Sequence, residues 1–251
     1  MNGVGKNEIN RVSLINMTPS EAQKICAIFL LTDGHVQYRK SRDRVILQFF
    51  GNNESLHQAF RGFMWLGFKR NPSFYCYFDK SKQVFATGYE FKKENPALQV
   101  LNSISPSYST KGEPTMAFLF DEKKEVQTLA FRIAMATEGS IGISFRPSGG
   151  ISPRLRLACT NPVLVRQWNA VAHNLGIEMK LDMDKASWSG IHGLCAYKKR
   201  SIIRFCDIGG FYPEEVKISR GKYKNLRKNL LLSKVRNWLI TKNAALLHPP
   251  T

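Results

Sequence analysis

The chain has 251 residues, enough for one large domain or two small ones, and enough to bury a core without disulfide or metal staples. Its 37 Lys and Arg against 19 Asp and Glu leave a net charge of +18 at pH 7, which points to a polyanionic partner, nucleic acid before membrane. The longest strongly apolar run, Ile25 to Leu31, is far short of the roughly 20 residues a membrane helix needs, so no membrane role is expected. The opening residues lack the apolar core of a signal peptide, so a cytoplasmic or organellar-matrix setting is expected rather than secretion. Cys26, Cys76, Cys159, Cys195 and Cys206 form no CxxC pair and read as reduced thiols, not zinc ligands.

In chain order, Thr18-Pro19-Ser20-Glu21 is a capping box with Pro at the first helical position, followed by an apolar run that Gly34 stops. Two strand-like segments follow, His35 to Arg39 and Arg44 to Gln48, and then a helix over residues 54–68 opened by Asn53. Strands are predicted at Phe74 to Phe78 and Val84 to Phe91. The first half thus reads αββαββ. The order returns: a helix over 126–139, strands over 140–145 and 153–158, and a helix over 162–176. An alternating stretch from Ile177 to Asp184 and another strand from Gly190 to Tyr197 complete the second set, and two further helices are expected before Lys242.

Three anchors support duplication. Thr32-Asp33-Gly34 matches Thr137-Glu138-Gly139 (137 − 32 = 105), Leu66-Gly67-Phe68 matches Leu175-Gly176-Ile177 (175 − 66 = 109), and Phe91-Lys92-Lys93 matches Tyr197-Lys198-Lys199 (197 − 91 = 106). The expectation is an α+β protein of two pseudo-symmetric αββαββα repeats, 1–112 and 113–251, joined by a connector at about 103–124, with two antiparallel sheets.

Each repeat places a carboxylate, Asp33 or Glu138, at the C-terminal end of an apolar helix, where the helix dipole already concentrates negative charge. If the two helices pack side by side, the acids meet and repel unless a divalent cation sits between them. Oxygen ligands and open coordination positions suit Mg²⁺ and phosphodiester hydrolysis. Small residues in these segments, Ala27, Thr32, Ala134, Ala136 and Thr137, permit close helix approach.

CAIFLLTDG (26–34) and FRIAMATEG (131–139) resemble the two copies of the motif that names the LAGLIDADG homing endonucleases, in the single-chain form with two repeats. The resemblance covers roughly residues 18–242. It implies that Asp33 and Glu138 are the metal-binding catalytic acids, assisted by the carbonyls of Thr32 and Thr137. It implies Mg²⁺ as cofactor, with Mn²⁺ able to substitute, and a monomer that makes a staggered cut across the minor groove of a long double-stranded target. Family members also use a peripheral basic or polar residue in each site. Lys92 and Lys198, each followed by a second lysine, fall near the expected place, and Gln48 is a further candidate in the first half. The stretch taken to match Gln48 in the second half, residues 158–161, offers no basic residue.

The outward strand positions would read DNA: His35, Gln37, Arg39, Arg44 and Gln48 in the first half, and Ser144, Arg146, Arg154, Arg156, Lys180 and Asp182 in the second. From Val216 onward there are nine Lys or Arg and no acid. Lys222, Lys224, Arg227 and Lys228 are expected along a phosphate track there, and Leu226, Leu230, Leu231, Val235, Trp238 and Leu239 recur at helical spacing. Two rivals share this fold: a maturase whose partner is intron RNA, and a transcription regulator that has lost cleavage.

Overall fold

The computed structural model describes residues 16–40, 43–79, 82–145, 150–243 and 247. Helix α1 (Pro19–Leu31) starts as its sequence dictates: the Thr18 hydroxyl accepts from the Glu21 amide at 3.2 Å, and the Glu21 carboxylate accepts from the Thr18 amide at 2.7 Å. Strands β1 (Gly34–Arg39) and β2 (Arg44–Gly51) follow, then α2 (Glu54–Phe68), β3 (Ser73–Asp79), β4 (Lys82–Lys92) and α3 (Pro96–Ile104). After a connector with one short 3₁₀ turn, the series repeats as α4 (Lys124–Thr137), β5 (Gly139–Phe145), β6 (Ile151–Ala158), α5 (Pro162–Asn174), β7 (Lys180–Met183), β8 (Ile191–Ala196) and α6 (Lys199–Asp207). A final helix, α7 (Lys228–Thr241), has no counterpart in the first series among the described residues.

The two sheets are antiparallel and share one strand order, β1-β2-β4-β3 and β5-β6-β8-β7. The expected α+β architecture of two αββαββα repeats is therefore present. Each sheet turns one face to the helices. Leu47, Phe49 and Phe91 in the first sheet, and Leu155, Leu157 and Leu194 in the second, lie in a continuous apolar core with the α1 and α4 side chains. Phe29, Phe49 and Phe60 form an aromatic cluster in the first half, as Phe131, Phe205 and Phe211 do in the second.

Helices α1 and α4 pack on each other at the junction of the repeats. Their N-terminal ends are joined by opposite charges, with Lys24 paired to Glu122 and Lys123 to Glu21 at 3.2 Å. Since the N-termini lie together, the helices run in the same direction and their C-termini also meet. Gly34 and Gly139 allow each chain to turn from helix into strand: a Cβ on Gly34 would sit 2.7 Å from the Leu30 Cα, and one on Gly139 2.5 Å from the Met135 carbonyl oxygen.

Three expectations are corrected. The alternating stretch 177–184 forms a strand only over Lys180–Met183; Ile177 and Met179 are buried as expected, but Leu181 and Met183 are exposed, because β7 is an edge strand with a register shift at Asp182/Met183. Helix α3 is the closing helix of the first αββαββα repeat, and it runs to Ile104, past the start of the connector expected at about 103. The basic tail is not one long helix. Residues 216–228 form a hairpin, with Ile218 and Leu226, Asn225 and Ile218, and Lys228 and Val216 hydrogen-bonded through their backbones, and only then does α7 begin.

Candidate active site

Asp33 follows the last turn of α1, and Glu138 is the residue at which α4 ends. Their backbones are held in matching ways. The Phe50 amide donates to the Asp33 carbonyl at 2.9 Å, and the Ala158 amide to the Glu138 carbonyl at 3.2 Å. Before each acid a threonine hydroxyl donates back into its helix, Thr32 to the Ile28 carbonyl at 3.0 Å and Thr137 to the Ile133 carbonyl at 3.1 Å. The two repeats thus present equivalent carboxylates from equivalent turns.

The side chains meet. Asp33 and Glu138 lie close enough for each to shift the other's proton affinity. Burial raises Asp33 above the ordinary carboxylate range, while its contact with Glu138 works the other way. Burial, with the adjacent Asp33 charge, pushes Glu138 up to about 8. Two acids at two negative helix ends repel, and a cation bound between them relieves that repulsion. The donor set therefore fits a divalent ion: two carboxylates from the protein, with other positions left to carbonyls, water and substrate oxygens. Among the described residues no cluster of three or more His, Cys, Asp or Glu offers a more complete protein cage.

Lys228 departs from its expected role. Its ammonium is buried, not laid along a phosphate track, and donates to the Ala136 carbonyl at 2.8 Å and the Gly139 carbonyl at 2.7 Å, on either side of Glu138. The charges of Asp33 and Glu138 favour its protonated form, yet burial dominates and lowers it to about 8. It lines a cavity of about 280 Å³ with Asp33, Asn53, Thr137, Lys217 and Ser219. The backbone of Lys217 is held there by Asn53, whose amide oxygen accepts from the Lys217 amide at 2.8 Å. Chain order alone gave no hint that residues 217 and 228 return to this point; the one available signal was a lysine at the head of an apolar helix.

The other candidates divide by place. Gln48 lies beside the site: it pairs with His35, one residue beyond Gly34, and donates to the Tyr75 hydroxyl. Register also revises its counterpart. Phe49 faces Gly34 and Leu157 faces Gly139, so Gln48 corresponds to Arg156, not to residues 158–161. Lys92 is not brought to the acids. It sits opposite Arg44, which pairs with Arg39, five residues along β1 from Gly34 and so about 17 Å away. Lys198 is also displaced: Ala196 pairs with Leu155, three rungs before Ala158, and the Lys198 ammonium beyond it is paired with Glu178.

His35, Gln37, Arg39, Arg44 and Gln48 share the face of the first sheet turned away from the helices. Arg154, Arg156, Lys180 and Asp182 share the corresponding face of the second, with Ser144 opposite Ser152 on the same side. Arg156 and Asp182 are joined to each other at 2.8 Å. Arg146 lies outside the described residues. In the hairpin, Lys224 and Arg227 are exposed, and the Lys222 ammonium lies 3.8 Å from the centre of the Phe145 ring. A larger cleft of about 710 Å³ is lined by Arg166, His173, Lys180 and Lys198 and includes neither acid.

Comparison with solved structures gives the same fold. A structure of mesophilic variants of the homing endonuclease I-DmoI aligns at a TM-score of 0.52 and 12% identity, over 79% of this chain and 96% of that one. I-DmoI in complex with DNA and Mn aligns at 0.51 and 11% identity, over 76% and 97%. The N-terminal LAGLIDADG domain of DUF199/WhiA aligns at 0.51 and 12% identity, over 85% and 96%. No protein-family model and no curated protein sequence matches the chain. The chain has the LAGLIDADG fold.

Proposed function

We propose that this protein is a divalent-metal-dependent endonuclease that makes a staggered double-strand cut at a specific DNA site. The observation that carries the reading is the meeting of Asp33 and Glu138 at the ends of α1 and α4, one acid from each repeat, in a partly buried site where each raises the cost of the other's charge. A cation held by these carboxylates, Mg²⁺ or Mn²⁺, would supply activation of water and stabilisation of the leaving oxygen for phosphodiester hydrolysis. Solved structures of I-DmoI with DNA hold Ca or Mn, which supports a duplex and a divalent ion as partners of this chain too.

The residues around the pair suit the same task. Gln48 and Arg156 occupy equivalent positions next to the two acids, where they can orient water or the scissile phosphate, and their difference makes the two sites unequal. The outward faces of the sheets offer guanidinium and amide groups for base edges in the major groove. Because both repeats lie in one chain, a monomer supplies both acids and suits a non-palindromic target.

The test is incubation of the full chain and Mg²⁺ with a supercoiled plasmid that carries the intron-free form of the gene hosting this reading frame. A linear product with staggered ends is the expected result. An uncut plasmid, together with tight binding to the intron transcript, would replace this reading by an RNA-binding one.

A further inference from the structure

Burying an ammonium is costly unless its protons are accepted and its charge is answered. Lys228 is 8% exposed, and two of its three ammonium protons are taken by the carbonyls of Ala136 and Gly139, on either side of Glu138. Those carbonyls belong to the last turn of α4 and the first residue of β5, where the helix dipole adds negative charge. The Phe211 ring, 5.2 Å away, presents a further weakly negative surface. The same ammonium shares the cavity with Asp33. Among the described residues, nothing in the first repeat corresponds to α7, which carries this lysine, so the arrangement is one-sided there.

We infer that Lys228 is a tethered counter-cation of the acidic pair, which competes with a divalent ion for the pair's charge and holds the C-terminal helix against the catalytic centre. This rests on reading the pair as a cation site. The structural logic is direct: a positive charge held beside two carboxylates lowers their net attraction for a second cation, and its removal leaves them unopposed. Lys228 is thus a positioning residue for the acids, and α7 belongs to the site as well as to the core.

The experiment is Mn²⁺ titration of the DNA-free full chain, with urea unfolding in EDTA and in Mn²⁺, for the wild type and for Lys228→Met, Asp33→Asn and the double variant. Lys228→Met should bind Mn²⁺ about tenfold more tightly than wild type, in the range expected for directly coupled charges. It should be destabilised in EDTA, and either Mn²⁺ or the added Asp33→Asn change should restore part of the loss. If Lys228→Met does not fold in EDTA, Mn²⁺ or the second substitution should recover the folded chain. Unchanged or weaker Mn²⁺ affinity, absence of binding by either chain, or a destabilisation that neither addition relieves would overturn the inference. The nuclease reading fails separately: a wild type that cuts no DNA but shows the tenfold difference retains the counter-cation and loses the endonuclease.

Discussion

Burial and the adjacent Asp33 charge raise the pKa of Glu138, and the sign of that shift predicts how the metal-free protein responds to pH. Its folded value of about 8 lies above the ordinary 4.5, so the stabilisation is full below about pH 4.5 and is lost as pH rises through 8. Glu138→Gln should therefore raise stability in EDTA at pH 9 by roughly 1–3 kcal/mol, measured by urea unfolding, and leave it nearly unchanged at pH 4. His57 gives the opposite slope. Its Nε2–H donates to the Gly51 carbonyl at 3.2 Å, its Nδ1 lies 2.9 Å from the Thr87 hydroxyl oxygen, and burial lowers its proton affinity. Stability from this ring is present above about pH 6.5 and is lost as pH falls through its lowered folded value. Thermal melts should show an acid-side decline that His57→Gln reduces; an unchanged decline would show that other groups carry it.

At the scale of elements, the turn from each central helix into its first strand is the sharpest constraint. Gly34→Ala or Gly139→Ala would drive a methyl group to within 2.7 Å of backbone atoms in its own helix, so each should cost about 1–3 kcal/mol by denaturant unfolding. These turns were legible because capping box, apolar run, acid and glycine are all local signals. Strand existence was legible for the same reason, since alternation survives wherever one face is buried. What escaped was set by distant contacts. Lys92 and Lys198 match accessory residues by spacing, but register carries them away from the acids, while it gives Arg156 the position in the second sheet that Gln48 holds in the first. The tail read as one amphipathic helix because its leucines recur at helical spacing, yet residues 216–228 are claimed by a hairpin whose pairing no periodicity reports.

Across the whole molecule, the +18 charge is not spread evenly in purpose. Lys228 is a buried structural cation, whereas Lys222, Lys224 and Arg227 remain at the surface of the hairpin. Removing the tail before Val216 would strip Leu231, Leu232, Val235 and Trp238 from the core, so truncation tests folding more than binding. Neutralising the three hairpin cations is the cleaner variant. If each meets a phosphate, the slope of log affinity against log salt should shrink by roughly 2 to 3, and an unchanged slope would place the hairpin away from the duplex.

Convergence of one acid from each repeat on a shared cation is tested most directly by comparing Asp33→Asn and Glu138→Gln with the wild type on the same plasmid in Mg²⁺, alongside measured DNA affinity. Each single variant should lose double-strand cutting by at least about a hundredfold, the scale on which a positioned catalytic group acts, while its affinity stays within a few-fold of wild type. Wild-type cutting rates in either folded variant would contradict a catalytic pair built from the two halves.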